Sequence, residues 1–147
     1  MNQRGRLDGQ VAFVTAGGGG IGRAIALGLA EAGADVAVFE IVPERAEETA
    51  ARIRELGREA LAIPGDAMEA EAIRAAIAAT DARFGRLDIL VNNAGGVSAR
   101  PFLEQSERSW RRHIDINLVS MLAATHAAAP LMIRGGQGGA ILNVASI

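Results

Sequence analysis

Cysteine, tyrosine and lysine are all absent from the 147 residues, and every one of the 15 basic side chains is an arginine. Without cysteine there are no disulfides, thiolate nucleophiles or zinc-thiolate centres, a composition that agrees with a reducing, cytoplasmic setting. Charge of one sign is also lacking. The formal net charge is −2 and the pI about 5.7, so no broad positive field exists to gather a phosphate backbone, and nucleic acid is not an expected partner. Long apolar runs are missing too. The N-terminal Met1-Asn2-Gln3-Arg4-Gly5-Arg6 is polar and leads directly into a domain, which disfavours a secretion signal. The stretch Leu118 to Ile133 is broken by Ser120, Thr125, His126 and Pro130, so a buried helix is expected there, not a membrane span.

What is present is a chain half apolar in composition, long enough for a real core and short enough to predict one domain over residues 1–147. Short β-rich runs alternate with helical periods, the pattern of repeated βα units around a parallel sheet. Five strands are predicted: Val11 to Thr15, Val36 to Phe39, Ala60 to Ile63, Ile89 to Val91 and Ala140 to Val144. Apolar residues three or four apart mark the helix faces expected to meet the sheet: Ile21, Ile25 and Leu29; Ala46, Ala50 and Ile53; Ile73 and Ile77. The helix from about Pro43 has proline in its first turn and Gly57 just past its end. Ser106 with Trp110, Ile114, Leu118, Met121 and Leu122 predicts a capped helix running to about Arg134, stopped by Gly135-Gly136.

The first strand runs into a glycine-rich turn at Gly17-Gly18-Gly19-Gly20-Ile21-Gly22. There Gly17, Gly20 and Gly22 let the backbone turn tightly and approach a pyrophosphate, and the following helix offers unpaired N–H groups and a positive dipole end. The second strand ends at Glu40, about 20 residues on, where a carboxylate can accept hydrogen bonds from both ribose hydroxyls of adenosine and repel a 2′-phosphate. That favours NAD over NADP. Neither the glycine turn nor Ile41-Val42 supplies an arginine to neutralise such a phosphate, although Arg45 stands one turn into the next helix.

In this order the motifs resemble those of the short-chain dehydrogenases/reductases, and the resemblance covers the whole chain. Thr15-Ala16-Gly17-Gly18-Gly19-Gly20-Ile21-Gly22 is similar to the family's TGxxxGxG, with Ala16 in place of the first glycine; Gly17 is expected to absorb the strain of the extra methyl. Gly65-Asp66-Ala67 resembles the family's acidic site after the third strand, which implies that Asp66 receives the adenine amino group beside Ala67. Asn92-Asn93-Ala94-Gly95 matches the NNAG motif. Its asparagines would tie loop backbones together, while Ala94 and Gly95 leave room for a cofactor. The resemblance implies a Rossmann-like, doubly wound α/β fold with a parallel sheet in the order 3-2-1-4-5, its last strands lacking and an edge exposed after the fifth. It implies cofactor contacts from Thr15, Gly17, Gly20, Ile21, Gly22, Glu40, Asp66, Ala67, Asn93, Ala94 and Gly95.

Two catalytic positions also match. Asn117 would hold a water in a proton relay and distort its helix locally. Ser146, after the fifth strand, would hydrogen-bond the reacting carbonyl oxygen. The family's next motif, YxxxK, has no counterpart, because the 147 residues contain neither tyrosine nor lysine. The implied activity is NAD-dependent interconversion of a small secondary alcohol and a ketone, with this chain inactive by itself for want of the general acid/base. A non-catalytic nucleotide-binding or assembly module, or half of a split enzyme, is the competing reading. A methyl-donor-binding methyltransferase shares the glycine turn but leaves Asn92 to Gly95 and Ser146 unexplained. Pairing of copies through the helix over 106–134 is expected from the resemblance. His113 and His126 lack metal-ligand spacing, and Trp110, Met121 and Met132 read as packing. The charged residues from Glu44 to Glu59 read as a solvated helix face.

Overall fold

The computed structural model describes residues 7–146. Its strands are β1 (Val11–Thr15), β2 (Asp35–Glu40), β3 (Ala60–Pro64), β4 (Ile89–Asn92) and β5 (Ala140–Asn143). All neighbours pair in parallel, in the order β3-β2-β1-β4-β5. Every predicted strand is present within a residue or two of its expected ends. Helices α1 (Gly20–Glu31), α2 (Pro43–Glu55) and α3 (Ala70–Phe84) make the first three crossovers. The fourth is one continuous helical run: α4 (Glu107–Ile114), a π-helical turn (Asp115–Val119) and α5 (Ser120–Arg134). Ser106 caps it, its hydroxyl accepting the Ser109 N–H at 3.2 Å, and Gly135 ends it.

Because strand side chains alternate between faces, the sheet divides its apolar residues into two cores. Val11 and Phe13 with Ala37 and Phe39 meet Ile73 and Ile77 of α3 and Ala124 and Ala128 of α5. Ala12 and Val14 with Val36 and Val38 meet Ala26 and Ala30 of α1 and Ala46 and Ile53 of α2. Helices therefore cover both faces of the sheet, with Phe13 and Phe39 stacked 5.9 Å apart on one of them. The charged residues of α2 lie outside, where Glu47 pairs with Arg54 and Glu48 with Arg52.

Two expected helix faces are corrected. In α1 the fully buried stripe is Gly22, Ala26 and Ala30; of the expected face Ile25 and Leu29 are half-buried and pack against the same core, whereas Ile21 is 64% exposed. Small side chains let the helix lie close to the sheet, so the larger Ile25 and Leu29 pack at the flank of the contact. In the fourth crossover, α5 packs on α3 and β4, whereas no residue of α4 is buried. Trp110, Ile114, Leu118 and Leu122 consequently face outward, and Trp110 stacks on Phe102 at 5.3 Å instead of entering a core. Of the three residues read as packing, Met132 alone is fully buried. By length and composition the helix from Glu107 to Arg134 could cross a membrane; here one face of it, Ala123, Ala124, Ala128 and Met132, is buried in the core. All four residues of β5 are exposed, so the sheet edge expected after the fifth strand is open among the described residues.

Candidate dinucleotide site

The glycine turn between β1 and α1 is held from behind by Thr15. Its hydroxyl donates to the Val91 carbonyl at 3.4 Å and accepts the N–H groups of Asn93 and Ala94, both at 2.9 Å. The Asn93 amide nitrogen donates to the carbonyls of Thr15 and Ala16. One hydroxyl proton and two acceptor sites are all that a threonine side chain has, so Thr15 is fully engaged by protein partners. Its place is to lock the turn to the end of β4, and Asn93 does the same from the other side, which is the tying role expected of the asparagines.

Ala16 takes φ +51°, the left-handed region, and is the one non-glycine residue with positive φ among the described residues. The expectation that Gly17 would absorb the strain is corrected: Gly17 has no positive φ, and the unusual backbone lies on the alanine itself. Gly17 is needed for space instead, since a Cβ there would meet Val38 Cγ1 at 3.0 Å and the Val14 carbonyl at 3.2 Å. Gly22 is tighter still, a Cβ falling 2.1 Å from the Ala16 carbonyl oxygen. Gly20 supplies a second positive φ of +50° in open space. The first turn of α1 has no side-chain cap and no acidic residue, so its outward N–H groups and dipole end are available to an anion.

Glu40 is buried, not a solvated strand end. Its carboxylate accepts the Gly18 N–H at 3.0 Å and the Val42 N–H at 3.2 Å, and thereby ties β2 to the glycine turn. Opposite, the Asp66 carboxylate accepts the Met68 N–H at 2.9 Å and shapes the start of the connection to α3. Ala16, Glu40, Asp66, Ala67, Ala94 and Gly95 line one cleft of about 170 Å³ at the carboxyl edge of the sheet. Five of the eleven residues expected from the sequence, Glu40, Asp66, Ala67, Ala94 and Gly95, thus line the cleft, and five more support it: Thr15 and Asn93 as locks, Gly17 and Gly22 as close approaches, and Gly20 at the helix start. Ile21 completes the turn with its exposed side chain.

Sequence reasoning missed Arg23. Its guanidinium donates to the Gly18 carbonyl at 2.6 Å, to the Thr49 hydroxyl at 3.0 Å and to both oxygens of Glu48. The hydrogen bond and charge of Arg23, with help from Arg52, hold the Glu48 carboxyl below its ordinary range. An arginine following the glycine turn was the available signal, but its partners lie 25 and 26 residues away.

Asn117 sits in the π-helical turn and explains it. Its side-chain nitrogen donates to the His113 carbonyl at 2.9 Å, competing with the helix's own bond there, and to the Gly96 carbonyl at 2.7 Å; its oxygen accepts the Gly96 N–H at 3.0 Å. His113 is a second loop anchor, its Nε2 accepting the Ser98 N–H at 2.9 Å. Ser146 is exposed just past β5, whose neighbour Val144 bonds back to the Asn92 carbonyl. Asn92 itself donates to Asn143 and Thr125, joining β4 to β5 and α5. Among the described residues no group of three or more His, Cys, Asp or Glu side chains is placed to hold a metal.

Comparison with known proteins agrees with this geometry. The family model described as short chain dehydrogenase matches residues 10–147. The chain is 40% identical over 141 residues to 2-dehydro-3-deoxy-D-gluconate 5-dehydrogenase of Escherichia coli (strain K12), covering 96% of this chain and 55% of that protein. Its fold superposes with a TM-score of 0.94 on 7 alpha-hydroxysteroid dehydrogenase complexed with NADH and 7-oxo glycochenodeoxycholic acid, at 36% identity over 99% of this chain and 56% of that one. Carveol dehydrogenase from Mycobacterium avium in complex with NAD gives 0.88 at 34% identity, over 93% of this chain and 54% of the other. The chain spans about half the length of these relatives.

Proposed function

The chain belongs to the short-chain dehydrogenase family, and from that membership we propose that it is the NAD-binding portion of a dehydrogenase that interconverts a small secondary alcohol and a ketone. The observation that carries the choice of NAD is Glu40. A buried carboxylate bonded to the glycine turn and bordering the cleft offers remaining lone pairs to ribose hydroxyls and places a negative charge where a 2′-phosphate would have to lie. Arg45, beside Gly18 and in no ion pair among the described residues, opposes this, but Glu40 is the group fixed at the cleft, by its bonds to the Gly18 and Val42 N–H groups.

The cradle suits a dinucleotide. Open backbone at Gly19 and Gly20 with the uncapped N–H groups at the start of α1 suits a pyrophosphate, and the cleft between Glu40 and Asp66 suits a ribose and an adenine. Gly20 and Ile21 would flank the pyrophosphate, Asp66 and Ala67 the adenine, and Ala94 and Gly95 the inner ribose. A bound nicotinamide cofactor supplies or accepts the hydride. The Ser146 hydroxyl would steady the substrate oxygen, and Asn117, whose two side-chain N–H groups are given to Gly96 and His113, would order a water through the remaining lone pair of Oδ1. No tyrosine or lysine is available among the 147 residues to move the substrate proton, so these residues alone would bind cofactor without turning over substrate. The outward stripe of Trp110, Ile114, Leu118 and Leu122 supports pairing of copies through this helix.

Calorimetric titration with NADH and NADPH tests the cofactor. Wild type is expected to prefer NADH by at least about tenfold, and Glu40→Ala to narrow that ratio. Equal wild-type affinities would overturn the assignment.

A further inference from the structure

Beside the dinucleotide cleft lies a larger groove of about 720 Å³, between the loop after β4 and the first turns of α4. It shares Ile116 with the cleft, and Gly96, the residue gripped by Asn117, forms part of its wall. Its charge is unusual for this molecule. Eight arginines, from Arg23 to Arg134, are each engaged by a carboxylate. Arg100, Arg108 and Arg112 form no ion pair or side-chain hydrogen bond among the described residues, and all three line this groove against a single carboxylate, Glu104. Arg45 and Arg111 are the other two without an ion pair among the described residues, so three of five open guanidinium groups surround one concavity and make a local excess of positive charge in a chain of net charge −2.

The rest of the lining is that of a small-molecule site. The volume lies within the usual range for such pockets. Met68 and Val97 contribute apolar wall, and the hydroxyls of Ser98 and Ser109 lie among the arginines. The loop side is held in place, since Ser98 is bonded to His113 and Gly96 to Asn117, so the groove has two fixed walls. Guanidinium groups present paired N–H donors that match the two oxygens of a carboxylate.

We propose that this groove binds a small hydroxylated organic acid through its carboxylate, making the substrate of the proposed dehydrogenase an acid and not a neutral alcohol. That the bound acid is the substrate rests on the dehydrogenase reading; that the groove binds an acid does not. Trp110, the single tryptophan of the chain, lies on α4 between the lining residues Ser109 and Arg112, so its fluorescence is the readout chosen for binding.

The test is a fluorescence titration of the purified chain with D-gluconate and with D-sorbitol, matched except for the carboxylate, with and without NADH. D-gluconate is expected to bind at least about tenfold tighter than D-sorbitol, and Arg112→Met and Arg108→Met each to weaken D-gluconate about tenfold. Arg111→Met, which removes an unpaired guanidinium from the same helix but not from the groove, is expected to stay within about twofold. Equal binding of the two sugars, or equal loss in Arg111→Met, would overturn the proposal. Loss of NADH binding with D-gluconate binding intact would overturn the cofactor reading and leave the acid site standing. Circular dichroism of each variant separates loss of the site from loss of the fold.

Discussion

Replacing Ala16 by glycine should stabilise the protein, although it deletes a methyl group. An L-residue in the left-handed region costs about 1–2 kcal/mol because Cβ crowds the following carbonyl. Glycine returns about 0.4–1 kcal/mol of that through the greater freedom of the unfolded chain. The net gain is about 0.5–1 kcal/mol, or a rise in Tm of about 1–4 °C for a domain of this size. Gly20 provides the mirror image: its φ is +50° and a Cβ would meet nothing within 4 Å, so Gly20→Ala reads the backbone cost without a packing cost. It should lose about as much as Ala16→Gly gains, and the double variant should return close to wild type. Urea unfolding followed by Trp110 fluorescence and circular dichroism measures all four proteins. An unchanged or lowered midpoint in Ala16→Gly, with the m-value preserved, would refute the claim that the turn is strained at this residue.

Thr15→Val removes the hydroxyl that accepts from Asn93 and Ala94 while keeping its shape. It should cost about 2–3 kcal/mol in chemical denaturation, with Thr15→Ser restoring most of it. The Glu48 carboxyl titrates below its ordinary value of 4.5 in the folded protein, chiefly through its hydrogen bond to Arg23. Its contribution is therefore complete above about pH 4.5 and is lost as pH falls through the lower folded value. Glu48→Gln should lower the Tm at pH 7, and the gap from wild type should close on acidification below pH 4; a gap independent of pH would exclude the linkage.

The sheet was legible because strands covered on both faces are continuous apolar runs, and β1 and β4 stand out as such. The face of α1 was legible only in part: Ile25 and Leu29 do pack on the core, but the centre of the contact falls on Gly22, Ala26 and Ala30, whose small apolar surface does not advertise it. The glycine turn and Glu40 were legible as local chemistry. What Glu40 does there was not, because its bond to Gly18 crosses 22 residues. The anchoring of Gly96 by Asn117 was foreshadowed by the expected helix distortion at that residue, whereas the groove was hidden altogether. Which arginines find a carboxylate depends on neighbours across the fold, and composition shows only their number.

The Thr15 lock also has a tempo. Its partners Val91, Asn93 and Ala94 are made 76, 78 and 79 residues later. At about 10 residues per second, a growing chain carries the glycine turn for about 8 s before this clasp exists. During that interval the turn is held from β2 alone, by the bonds of Gly17 to Phe39 and of Gly18 to Glu40, so the last fastening of one of the first features to be written waits for the end of β4.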